Sequence, residues 1–363
     1  MVIFKRPYLY VTLGLLFILI PVINMYIPLI SRGQMTVLNM IVIYAIGAIG
    51  FNILLGYSGQ VSLGHIAFMG LGAYLSAYIT QVLELPFIIG LIAAGVIPMI
   101  LGFVLGAIAL RLEGHYLAIA TLGLGMTIQH VFMEWTAFTQ GFSGMRAPPA
   151  EIFGIQFVER EYSLILGTVV LIILAVFAYN LLNSKTGRAL MAMRDSSHAA
   201  QATGISLFKY KMIAFSISTF YVGIAGGLYA HVMRFIEPTR WGLEASLDLV
   251  AMTVIGGLAS IGGSVVGAAF LELVPNAARD LPLLEGVRSI NLIVTGIIMI
   301  LTIIYFPEGL YRRLVSTGKS ILITLGVVKT NSAAGTDQLS GSDSEKITDN
   351  NQDADSGSQG PRG

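Results

Sequence analysis

The chain contains no cysteine among its 363 residues. Disulfides, thiolate metal sites and a cysteine nucleophile are therefore excluded, although that absence says nothing about compartment. Charge is scarce too. Asp, Glu, Lys and Arg make up 11% of the residues, whereas soluble domains average about 25%. Lys and Arg total 21 against 20 Asp and Glu, a net charge of +1, so there is no bulk attraction for nucleic acid. The five histidines form no H-E-x-x-H pair and no ligand set. His115, His130 and His231 fall near the ends of apolar runs, where an interfacial role suits them. A phosphate cradle is missing as well. Gly318-Lys319-Ser320 resembles the end of a P-loop, but Arg313 stands where its first glycine belongs and no strand precedes it.

What the chain has is apolar sequence, 55% of its residues. A spanning helix needs about 20 such residues in succession. Candidate spans are Tyr8–Ile30, Met35–Leu55, Leu63–Leu83, Pro86–Leu110, His115–Glu134, Ser163–Leu182, Tyr210–Met233, Leu247–Val274 and Ile290–Phe306. Lys5 and Arg6 precede the first run without a small-residue cleavage pattern, so it reads as a retained span. The fold class expected is an all-α polytopic membrane protein.

Lys and Arg collect on the cytoplasmic side. The richest segment is 183–211, with Lys185, Arg188, Arg194, Lys209 and Lys211. Lys5 and Arg6 form a second cluster, and Arg312, Arg313 and Lys319 a third. All three are expected inside, which places both termini in the cytoplasm. A single span over Leu247–Val274 would leave the third cluster outside. Ser246–Asn276 is long for one span and contains I-G-G-L-A-S-I-G-G-S-V-V-G (Ile255–Gly267). A broken hairpin there restores the topology and gives about ten membrane segments. The expected organisation is a first span within 1–34, a core over 35–310, a basic segment at 311–329, and a tail at 330–363 too poor in apolar residues to fold.

The run from Tyr44 to Tyr78 is interrupted by G-Y-S-G-Q-V-S-L-G-H (Gly56–His65). Non-helical backbone inside a bilayer survives only against protein or beside a water-filled path. Gly59–Gly64 (G-Q-V-S-L-G) and Gly257–Gly262 (G-L-A-S-I-G) share the pattern G-x-x-S-[LI]-G. Paired glycine-interrupted segments point to internally repeated transporters with a central pathway. Small residues also recur for helix packing, so chance is the other reading. Asn52, Gln60, Ser62 and His65 at the first break, and Ser260 and Ser264 at the second, are the pathway candidates. Hydrogen bonding between helices accounts for the same residues equally well. Asp248 and Glu272 lie in or near apolar segments within reach of an interface, and no proton relay is read from them.

The segment Asn183–Ile205 reads as two short helices. The first covers Gly187–Arg194, with Leu190, Met191 and Met193 available for docking. Ser196 or Ser197 caps the second, which runs through His198–Thr203 to the terminating Gly204. Either it fits the groove of another protein or it is a solvated loop obeying the positive-inside rule.

H-A-A-Q-A-T-G (His198–Gly204) resembles the E-A-A-x-x-x-G coupling motif of ABC importer permeases, with His198 in place of the glutamate. Asn52–Tyr74, Gly114–Leu122 (G-H-Y-L-A-I-A-T-L), Thr186–Asp195 (T-G-R-A-L-M-A-M-R-D) and Val254–Ala268 resemble the M-type permease subunit of high-affinity branched-chain amino acid ABC transporters. The resemblance implies a non-enzymatic subunit of the cell inner membrane that binds no cofactor itself. Its expected partners are a second homologous permease, two cytoplasmic ATPases that bind ATP, an external substrate-binding protein and the lipid bilayer. It assigns Gly187, Arg188, Arg194, His198, Ala199, Ala200 and Gly204 to ATPase coupling. His198 removes the negative charge, and with it any salt bridge the glutamate makes. Related permeases carry urea, short amides or sugars. An ion-coupled secondary transporter and a passive channel are the readings from other classes.

Overall fold

The computed structural model describes residues 8–109, 114–152 and 154–279, with scattered positions between 296 and 316. Residues through Leu314 form one unit. Helix α1 (Tyr8–Tyr26) is mostly apolar and lies against α7 (Arg160–Asn183), where its buried Asn24 donates to the Glu161 carboxylate at 3.0 Å. The next helix, α2 (Arg32–Asn52), starts with a reciprocal cap. The Ser31 hydroxyl accepts from the Gln34 amide at 3.3 Å, and the Gln34 side chain accepts from the Ser31 amide at 3.0 Å. Almost all of α2 is buried, and it sits at the centre of the bundle.

Against it pack α7 and α10 (Leu207–Met233); α3 (His65–Gln81) and α4 (Phe87–Ala109) lie against α10, and α5 (His115–Glu134) against α3. Lipid is as apolar as leucine, so helices in a bilayer associate by close packing rather than by the hydrophobic effect. Gly226 illustrates this. A Cβ added there would lie 1.9 Å from the Met69 carbonyl oxygen, so α3 and α10 touch backbone to backbone. Among the described residues α1, α2, α4, α5, α7 and α10 are long and apolar enough to cross a membrane.

The region Ser246–Asn276 is two helices, not one. Helix α11 (Leu243–Gly256) stops at Gly257, whose φ of +121° suits glycine, and α12 (Ile261–Arg279) packs back against α11 and α2. Two short helices here are compatible with the broken hairpin and with about ten segments. Most of the expected span Ile290–Phe306, and all of the 330–363 tail, lie outside the described residues.

The segments 183–211 and 53–65 share one end of the bundle, called the basic end below. At the opposite end a short helix, α6 (Thr136–Thr139), opens the loop after α5. Strand β1 (Met145–Arg146) follows, then the hairpin of β2 (Glu151–Ile152) and β3 (Ile155–Gln156). Strand β1 pairs antiparallel with β4 (Phe235–Ile236), so the loops that follow α5 and α10 are stitched together. His231 is buried beneath them rather than interfacial. Its Nδ1 lies 2.8 Å from the Pro148 carbonyl, which can only accept, so Nδ1 carries the proton and Nε2 accepts from the Ser76 hydroxyl at 2.9 Å.

Candidate coupling and translocation site

The first break begins as a change of helix pitch. Ile53–Tyr57 is a π-turn continuing α2, a rare element that is frequent at functional sites. The Gln60 amide then returns to the Leu54 carbonyl at 3.1 Å, and the chain stays non-helical until His65. Gly59 holds a left-handed φ of +73°.

Asn52 ends α2 and reaches the second break. The two hydrogens of its Nδ2 are shared among the Ser264 hydroxyl at 2.8 Å, the Ser260 carbonyl at 3.1 Å and the Gly257 carbonyl at 3.3 Å. Its Oδ1 accepts from the Ala259 amide at 3.0 Å. One buried amide thus serves the Gly257 carbonyl and the Ala259 amide, and adds to the bond that the Ser260 carbonyl already accepts from the Ser264 amide. Ala259 itself sits at φ +57°, costly for a residue with a Cβ. Gly56 leaves room for the joint, since a Cβ there would lie 1.9 Å from Asn52 Oδ1.

The other candidates stand apart from this joint. Gln60 Nε2 donates to the Ser58 hydroxyl at 2.7 Å. Gln60 Oε1 and the Ser62 hydroxyl are buried without a hydrogen-bond partner. His65 is fully buried, its Nε2 2.7 Å from the Ser218 hydroxyl and its ring set among Phe51, Phe68 and Phe215. Ser218 was not legible as a site residue, because a serine in an apolar helix looks like any packing residue.

At the same end, Ser184 caps α8 (Lys185–Asp195), its hydroxyl accepting from the Thr186 amide at 3.1 Å. Gly187 allows the chain to fold back sharply. A Cβ there would lie 2.1 Å from the Leu182 carbonyl oxygen. Of the residues read as available for docking, Leu190 and Met193 are buried and Met191 is half-buried, with α8 lying against α7, α10 and the π-turn. An amphipathic helix beside its own bundle uses its apolar stripe there first.

Ser196 caps α9 (Ser197–Ala202), accepting from the Ala199 amide at 3.2 Å. Gly204 follows at φ +84°, and the Ile205 amide returns to the Ala200 carbonyl at 3.0 Å, the closing bond of a Schellman turn. Ala200 is buried, while Arg188, His198, Ala199 and Gly204 are exposed. Arg188 bends back to the Asn183 carbonyl at 3.2 Å.

Arg194 is exposed as well, but its guanidinium reaches the first break. Its Nη1 donates to the Gly56 carbonyl oxygen at 2.5 Å, at the end of the π-turn. Its stem covers Gly59, where a Cβ would lie 3.3 Å from Arg194 Cγ. Helix α8 is therefore fastened directly to the first break, and Asn52 fastens that break to the second.

Residues 33–303 match the family described as branched-chain amino acid transport system, permease component. The chain belongs to this family. Within it, the high-affinity branched-chain amino acid transport system permease protein LivM of Salmonella typhimurium strain LT2 is 31% identical over 306 residues, covering 78% of this chain and 71% of the relative. The Escherichia coli K12 protein of the same name is 30% identical over the same spans. The ribose import permease protein RbsC of Haemophilus influenzae is 26% identical over 276 residues, 72% of this chain and 82% of the relative. No solved structure gives a significant match. The permease family and the helical bundle agree on a multi-pass membrane protein built for transport.

Proposed function

We propose that this permease is the membrane subunit of an ATP-driven importer of branched-chain or other small apolar amino acids. The observation that carries the reading is the exposed α9 with its glycine stop, joined through α8 and Arg194 to a break in the central helix. A surface that can receive a push is thereby connected to backbone that can move. The basic end is cytoplasmic by the positive-inside rule, and the stitched loops receive an external substrate-binding protein. Two cytoplasmic ATPases hydrolyse the ATP, 183–211 receives one of them, and a second homologous permease completes the pathway.

In this reading Asn52, Ser260 and Ser264 form the joint about which the two breaks move together. Gln60, Ser62 and His65 line the first break beside it. Closure of the ATPases displaces α8 and α9, and the two ends of the bundle open in alternation. Nucleotide and solute drive this only by binding the two states unequally.

Complex reconstituted in liposomes should accumulate leucine only with ATP and the binding protein present. Uptake by this chain alone, without ATP, would overturn the proposal. Gly187→Val should abolish co-purification of the ATPases, because its side chain collides with the Leu182 carbonyl and lifts α8 from its seat. Gly204→Val should weaken capture less, since a left-handed residue with a Cβ costs about 1–2 kcal/mol and the surrounding space is open.

A further inference from the structure

A cavity of about 510 Å3 opens between α2, α11 and α12 at the end remote from the basic segment. Its polar lining is Thr36, Tyr44, Arg240, Asp248, Glu272 and Asn276. In so apolar a chain, three charged groups around one hollow mark a candidate functional site. Arg240 is the cation. Its guanidinium carbon lies 5.5 Å from the centre of the Tyr229 ring, and Tyr44 and Glu272 also interact with it electrostatically. It is thus steadied at the loop edge of the cavity. Asp248, on α11, and Glu272, on α12, are half-buried.

The rest of the lining is apolar and adaptable. Met40, Met252 and Leu271 contribute to it, and methionine accommodates side chains of differing branching. Pro275 adds one more feature. It has no N–H to offer the Leu271 carbonyl one turn earlier, and both residues line the cavity.

We infer that this cavity is a transit site for a zwitterionic amino acid, resting on the importer reading above. The α-carboxylate meets the Arg240 guanidinium, whose fork matches a carboxylate. The α-ammonium meets Asp248 or Glu272, with the Leu271 carbonyl as a further acceptor. The apolar side chain lies among the methionines. The volume is in the range of small-molecule pockets, roughly 300–1,000 Å3, and leaves space beside the solute for water.

The absence of native cysteine makes the test direct. The lining residue Val37 is replaced, as Val37→Cys, in the full permease–ATPase complex. Modification of this chain by a methanethiosulfonate reagent is then followed by intact mass. Millimolar leucine should slow the reaction several-fold. Leucinol, which lacks the carboxylate, and isocaproate, which lacks the ammonium, should not. Adding Arg240→Gln should remove the protection by leucine in a complex that still retains its ATPases. Equal protection by all three compounds, or none by leucine in a complex that transports leucine, would overturn the site alone. A complex that takes up no amino acid would overturn the importer reading and the site with it.

Discussion

Asn52→Leu should destabilise the purified permease by about 2–4 kcal/mol, read as a lower thermal midpoint in detergent. Leucine is close to asparagine in length and suits an apolar helix, so propensity and hydrophobicity both favour the change. The loss comes from the partners. Nδ2 leaves the Gly257 and Ser260 carbonyls, and Oδ1 leaves the Ala259 amide. A buried polar group stripped of its partner costs about 1–3 kcal/mol. Side-chain hydrogen bonds measured in a membrane bundle average only about 0.6 kcal/mol. The lost bonds at the lower figure total about 2 kcal/mol, and the two orphaned groups, the Gly257 carbonyl and the Ala259 amide, at about 2 kcal/mol each total about 4.

Ser264→Ala separates the joint from a general polar effect. The Ser264 hydroxyl also lies 3.2 Å from the Ser260 carbonyl, so its removal takes one bond from Asn52 and orphans no backbone group. Its cost should stay below about 1 kcal/mol. Equal losses in the two variants would mean that Asn52 is one helix contact among many, and that the second break holds its shape unaided.

Apolar windows and glycine breaks carried most of the architecture. Both interruptions are visible as glycine and serine inside hydrophobic runs, and the charge count required the hairpin that α11 and α12 form. The joint between the breaks was not visible. Asn52 and Ala259 are far apart in the chain, and a pattern of residue types does not report which buried amide faces which backbone. The same limit applied to α8. Its stripe of Leu190 and Met193 is evident, but the stripe alone does not say whether it docks on a partner or on its own bundle. Arg194 follows Leu190 by four residues and so shares its face. That spacing was the available sign that its guanidinium reaches the bundle, and positive charge near a membrane has a simpler explanation in topology. The cavity at the far end was missed for another reason. Arg240 reads as a loop residue, and it acquires its carboxylate neighbours only when α11 and α12 fold back.

Arg194→Ala should uncouple the machine rather than dismantle it. The Gly56 carbonyl belongs to a π-turn, where the regular helical ladder is already disturbed. A charged donor to such a group contributes about 1.5–3 kcal/mol. Each 1.4 kcal/mol corresponds to a factor of ten, so losing this link should lower leucine accumulated per ATP hydrolysed by roughly tenfold or more. ATPase co-purification should persist, because α9 and its Gly204 stop lie outside the contact. That outcome separates Arg194 from Gly187, whose replacement removes the seat of α8 altogether. Arg194→Lys keeps a charge and a donor but not the planar fork, so it should recover part of the yield. If Arg194→Ala instead releases the ATPases, and uptake falls only in proportion to those lost, the arginine serves the partner interface. The displacement of α8 would then have to reach the first break by another route.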